Sequence, residues 1–97
     1  MTTPLELGKI GIWTWTLDAH PMAQSREAVQ ELEELGFTTV WIPEAVGREP
    51  FAHAGILLSA TKNLIVGTGI ASMYARTAST MQAGQKTLTS AFPDRFL

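Results

Sequence analysis

Ninety-seven residues, 45% of them apolar and 16% charged, suffice for one small folded domain with a core and are too apolar for a disordered segment. A formal charge of −2, with seven basic residues scattered along the chain, excludes the basic patch of a nucleic-acid binder. The absence of cysteine excludes disulfides, thiolate nucleophiles and Cys-based zinc sites and makes the cytoplasm the default compartment. No leader is expected in Met-Thr-Thr-Pro-Leu-Glu, and no apolar run approaches the ~20 residues of a membrane span.

In chain order, Lys9 to Trp13 reads as a short strand running into Thr14, Trp15 and Thr16, with two tryptophans near its end. Asp18, His20 and Pro21 supply loop and helix-start chemistry, with Pro21 suited to the first helical position. The following helix sets Ala28, Val29, Leu32 and Leu35 on one face and glutamates and Gln30 on the others, the pattern of a helix lying on a sheet. Gly36 closes it in a left-handed turn, with Phe37 folding back toward Leu32. Thr39 to Ile42 is a second strand, β-branched and aromatic, which Pro43 stops. A second helix from Pro50 to about Thr61 is apolar nearly all round and therefore expects cover on more than one side.

Leu64, Ile65 and Val66 form a continuous apolar run, as in a strand covered on both faces. Gly67 and Gly69 bracket Thr68 where a strand would ordinarily pack side chains, so they point to close packing or to close approach of a ligand. A third helix spans Thr77 to Ser90 with Met81 and Leu88 inward, Phe92 to Arg95 make a turn, and Phe96 and Leu97 begin a fourth strand. Strands spaced by about 25–32 residues, with a helix in each gap, predict successive βαβ units. Eight would make a (β/α)8 barrel, and this chain holds three and a stub. An open doubly wound sheet is the alternative, but its G-x-G-x-x-G should follow the first strand. The nearest match, Gly67 to Ser72, lies in the third strand and lacks the last glycine.

Ligands in such folds bind at the carboxyl ends of the strands, which selects Trp13 to Thr16, Glu44, and Gly69 to Arg76. Glu44 is suited to general-base work, to accepting a hydrogen bond from a ligand, or simply to solvation. Arg76 can neutralise an anionic ligand or pair with Glu44. His20 and His53 lack metal-ligand spacing and read as a loop residue and a helix surface or packing residue, so no metal is expected. No G-x-S-x-G motif is present.

Three segments carry a family resemblance over nearly the whole chain: Glu34 to Phe37 with Val40 to Glu44; Gly67 to Ile70 with Tyr74 and Arg76; and Pro93 to Leu97. With these, residues 1–97 resemble the amino-terminal part of a luciferase-like monooxygenase, a flavin- or deazaflavin-dependent oxidoreductase built on a (β/α)8 barrel. The third-strand motif is most similar to the branch using coenzyme F-420, a deazaflavin, with FMN as the alternative. The resemblance implies hydride transfer to or from a small organic substrate, with Glu44 at the acidic catalytic position and Trp13, Gly69, Ile70 and Arg76 at the cofactor. It also implies a cis Gly69–Ile70 peptide bond in the cofactor-competent protein, which a three-unit chain is free to relax.

The sequence departs from the family where Ala45 replaces a histidine that often follows the acidic residue, and where Thr77 and Ala78 replace His-Pro. By the same resemblance the full-length parent is an enzyme; three units leave a sheet edge and the apolar second and third helices uncovered, so the isolated 97 residues are expected to be inactive and to self-associate. A stand-alone α/β assembly module, pairing through its apolar helices, is the other reading.

Overall fold

The computed structural model describes residues 7, 8, 10–44 and 47–97. Three strands, β1 (Gly11–Trp13), β2 (Thr39–Pro43) and β3 (Ile65–Ile70), alternate with helices α1 (Met22–Glu34), α2 (Pro50–Ala60) and α3 (Ala78–Ala91), and a 3-10 turn at Thr16–Ala19 follows β1. The expected strand start at Lys9 lies outside the described residues. The strands are parallel in the order β1-β2-β3. Phe96 bridges in parallel to Val66, so the stub adds beside β3. A doubly wound sheet would send its fourth strand back beside the first, so consecutive order through the fourth position is that of a barrel sector.

The helix boundaries follow local chemistry. Pro21 stands one place earlier than expected: its backbone is extended, it caps α1, and its carbonyl accepts the amides of Gln24 and Ser25 at 3.0 and 3.1 Å. α1 ends as the glycine signal requires. Gly36 has φ +97°, its amide reaches Glu33 O at 3.1 Å, and the Phe37 amide reaches Leu32 O at 3.1 Å. These two bonds form a Schellman closure of the last turn.

β2 is central, and Val40 and Ile42 project into a core shared with Leu64, Val66, Val29, Leu57, Leu58, Leu88 and Phe96. α2 packs against α1, α3, β2 and β3, so the cover its apolar sequence demands comes from within the chain. The expectation that α2 is left uncovered is thereby corrected, whereas α3 buries only Leu88. Alternation sends Thr39, Trp41, Gly67 and Gly69 to the face away from this core.

The amino end of the sheet is tied by side chains to backbone. The Glu33 carboxylate accepts the amides of Lys62, Asn63 and Leu64 at 3.0, 2.6 and 2.6 Å. Arg95 donates to Leu64 O, Leu58 O and the Thr61 hydroxyl at 3.0, 3.1 and 2.7 Å. Burial raises the Glu33 pKa, but the three amides outweigh it and hold the carboxyl below its ordinary range.

Candidate functional site

At the carboxyl end of β2 the pairing with β3 slips. Ile42 faces Thr68 but Pro43 faces Ile70, which leaves Gly69 as the unpaired residue of a bulge. Proline cannot donate to a ladder, so the irregularity falls where the missing N–H would have been. The Glu44 amide then donates to Ile70 O at 2.7 Å and resumes the pairing one step on. Among the described residues no peptide bond is cis, so the Gly69–Ile70 bond is trans in this chain.

Glycine at 67 and 69 is explained by the tryptophans. A methyl group on Gly67 would lie 2.6 Å from Trp41 Cε3, and one on Gly69 would overlap the Nε1 edge of the Trp13 indole. Neither glycine has a positive φ, so it is the absent side chain that each position uses. Of the two reasons anticipated for these glycines, close packing and ligand approach, close packing is the one these contacts account for. Trp13 is 49% exposed and Ile70 54%, and with Trp15, Met73 and Tyr74 they make an apolar surface at the carboxyl ends of β1 and β3.

Beside this surface, Glu44 and Arg76 form a two-pronged ion pair, Nη1 to Oε1 at 2.8 Å and Nη2 to Oε2 at 2.6 Å. Both side chains are largely buried. Glu44 Oε1 also accepts the Ser72 amide at 2.6 Å, while Arg76 reaches Ser72 O at 3.4 Å and Glu49 Oε1 at 3.3 Å. The guanidinium lies 5.4 Å from the centre of the Phe51 ring. Hydrogen bonding from Arg76, the largest influence, holds the Glu44 carboxyl below its ordinary range, and the same contact raises the arginine. The pairing open to Arg76 from sequence is the one adopted. Glu44 and Arg76 are brought together, as are Trp13 and Gly69, and Ile70 stands between the two pairs.

Glu49 is a member that sequence reasoning missed. Its carboxylate caps α2 by accepting the amides of Phe51 and Ala52 at 3.2 and 2.7 Å, and it shares Arg76 with Glu44. An acidic residue directly before Pro50 at a helix start was the available signal. Ala45, where a family histidine is replaced, lies outside the described residues.

A second polar cluster joins the turn after β1 to α2. Arg48 donates to the carbonyls of Leu17 and His20 and to the Ser25 hydroxyl, the last at 3.1 Å. His53 is 2% exposed, so the packing alternative holds for it. Its Nε2 is 3.5 Å from Arg48 and its Nδ1 3.5 Å from Asp18 Oδ1. Arginine only donates, which assigns the imidazole proton to Nδ1, facing Asp18. Among the described residues no group of three or more His, Asp or Glu could hold a metal ion, and no helix is long and apolar enough to cross a membrane.

Consecutive parallel βα units mark a parallel α/β protein, and the apolar surface and ion-paired loop lie at the carboxyl ends of its strands, the end where such proteins bind ligands. Residues 9–97 match the model of the luciferase-like monooxygenases, and the chain belongs to that family. Comparison with curated proteins returns no match. The family generally binds flavin-type cofactors, FMN or coenzyme F-420.

Proposed function

We propose that this chain supplies the first strands of the cofactor site of a deazaflavin-dependent, luciferase-like oxidoreductase, in which further βα units complete the barrel. The observation that carries the reading is the bulge at Gly69 beside exposed Ile70 and Trp13. A residue without a side chain, flanked by apolar surface, fits the flat face of a tricyclic ring. Gly69 and Ile70 would hold that ring, with Trp13 beside it. When bound, the cofactor supplies hydride transfer; the protein's part is to bind, orient and exclude water.

Arg76 is the residue expected at the cofactor whose surroundings argue for another role. Four of its five N–H groups are directed at Glu44, Glu49 and Ser72, and two carboxylates leave its surroundings net negative. An anionic cofactor tail is therefore better served by residues elsewhere in the barrel. Glu44, the catalytic candidate, is engaged at both oxygens and held ionised by Arg76. The role we assign it is to fix the loop from Ser72 to Arg76 beside the ring, with no proton transfer.

The test is a fluorescence titration with coenzyme F-420 and with FMN, on the isolated chain and on a protein in which the segment is followed by the units that close the barrel. Micromolar binding of the deazaflavin by the longer protein, and negligible binding by a verified monomer of 97 residues, is the expected result. FMN binding without deazaflavin binding transfers the reading to the FMN branch, and binding of neither overturns it.

A further inference from the structure

We propose that the Trp13 indole is the resident occupant of the Gly69 cradle and yields it to a planar heteroaromatic ring, so that Trp13 gates the ring seat instead of forming a fixed wall. The proposal rests on the ring-binding reading above. Trp13, Trp41 and Gly67 share one row across the sheet, since Trp13 pairs with Trp41 and Trp41 with Gly67. Trp13 nevertheless leans out of its row, past β2, to put its Nε1 and Cδ1 edge against the backbone of Gly69.

The two tryptophan–glycine contacts differ in what holds them. Trp41 is partly buried on the central strand, with neighbours on both sides. Trp13 is half exposed on the outermost described strand. Trp15, with its ring centroid 6.1 Å away at 53°, is also exposed and gives the indole a surface to swing onto. Gly69 is unpaired by the bulge and has no conformational need to be glycine. What it offers is bare backbone that a flat ring can touch, and the ring touching it belongs to the chain itself. An indole is a planar bicyclic heteroaromatic, so it competes for the same contact as a flavin-type ring.

A seat occupied by its own gate about nine-tenths of the time loses about tenfold in apparent affinity for an outside ring. The probe is lumichrome, a flavin-type ring without a phosphate tail, titrated against the longer protein in which further βα units close the barrel. Trp13→Ala should bind it about tenfold more tightly than the same protein unsubstituted, and adding Gly69→Val should abolish the gain. Equal or weaker binding by Trp13→Ala overturns the gate, as does binding by none of the variants, because the cradle is then no ring seat. Circular dichroism confirms that each variant is folded.

A ligand-free measurement stands beside it: fluorine NMR of protein carrying 5-fluorotryptophan, with signals assigned through single Trp→Phe variants. Gly69→Ala should move the Trp13 signal toward that of solvent-exposed indole and leave Trp41 in place. An unmoved Trp13 signal overturns the proposal. Cofactor binding by the longer protein is decided by its own titration, so the gate can fail while the flavin-type reading stands.

Discussion

Two glycines chosen for the same missing atom respond oppositely to having it restored. A methyl at Gly67 meets the Trp41 ring at 2.6 Å, a contact that must be relieved by moving a partly buried indole on the central strand. Overpacking of this kind costs about 1–3 kcal/mol. At Gly55, inside α2, the nearest obstacle is Leu88 Cδ2 at 3.4 Å, an ordinary contact, while alanine improves helix propensity by up to about 1 kcal/mol. Urea unfolding should therefore place Gly67→Ala below the parent chain and Gly55→Ala level with it or above. The pair of glycines at 67 and 69 was legible as an anomaly in a strand. Which tryptophan covers which glycine was not, because Trp13 reaches Gly69 across an intervening strand.

The elements of this chain were readable because each announces its ends: Gly36 by its left-handed turn, Pro50 by a first helical turn, Pro43 by the donor it lacks. The links between elements were not. Glu33, Arg48, Glu49 and Arg95 are ordinary surface charges in a linear reading, and their partners become visible only when distant segments are brought together. His53 shows what such a link does. Burial, the largest influence, holds its folded pKa below the ordinary 6.5, with Arg48 acting in the same direction and Asp18 opposing. The unfolded chain then binds the proton first as acid is added. Stability from neutral His53 is complete above about pH 6.5 and falls below it until the folded pKa is reached. The 3-10 turn and the start of α2 should loosen together in that range. Hydrogen exchange at Leu17 to His20 from about pH 7 to 5 measures this, and His53→Gln should flatten the dependence.

For the molecule as a whole, the sheet is open on both sides among the described residues: β1 pairs only with β2, and the stub at Phe96 only with β3. Exposed Trp13, Trp15, Ile70, Met73 and Tyr74, the last at 92%, add an apolar surface at the carboxyl ends of the strands, and exposed Ile10 stands just before the β1 edge. Open edges and apolar surface favour pairing with another chain. Sedimentation velocity should show self-association that rises with concentration, and Ile10→Lys, which charges the edge, should weaken it. A strictly monomeric chain at high concentration counts against this expectation. The apolar runs and their spacing carried the βα order, and the Pro-Asp-Arg-Phe-Leu motif carried the start of the fourth strand. The apolar composition of α2 could not reveal which side would be covered by the chain's own α1 and α3.

The Arg95 clamp also sets an order in time. Its partners at Leu58, Thr61 and Leu64 precede it by 37, 34 and 31 residues, so β3 is synthesised well before the side chain that ties its amino end. At ribosomal rates of about 5–20 residues per second, that delay is roughly 2–7 seconds, long against the microseconds in which α2 can wind and unwind. During that interval Glu33, already made, is the one of these two side chains available to tie the segment from Lys62 to Leu64. The nascent sheet thus depends first on an anion from the preceding helix and only later on a cation from the following turn, and the first two βα units must wait for the turn after the third helix before their lower rim is shut.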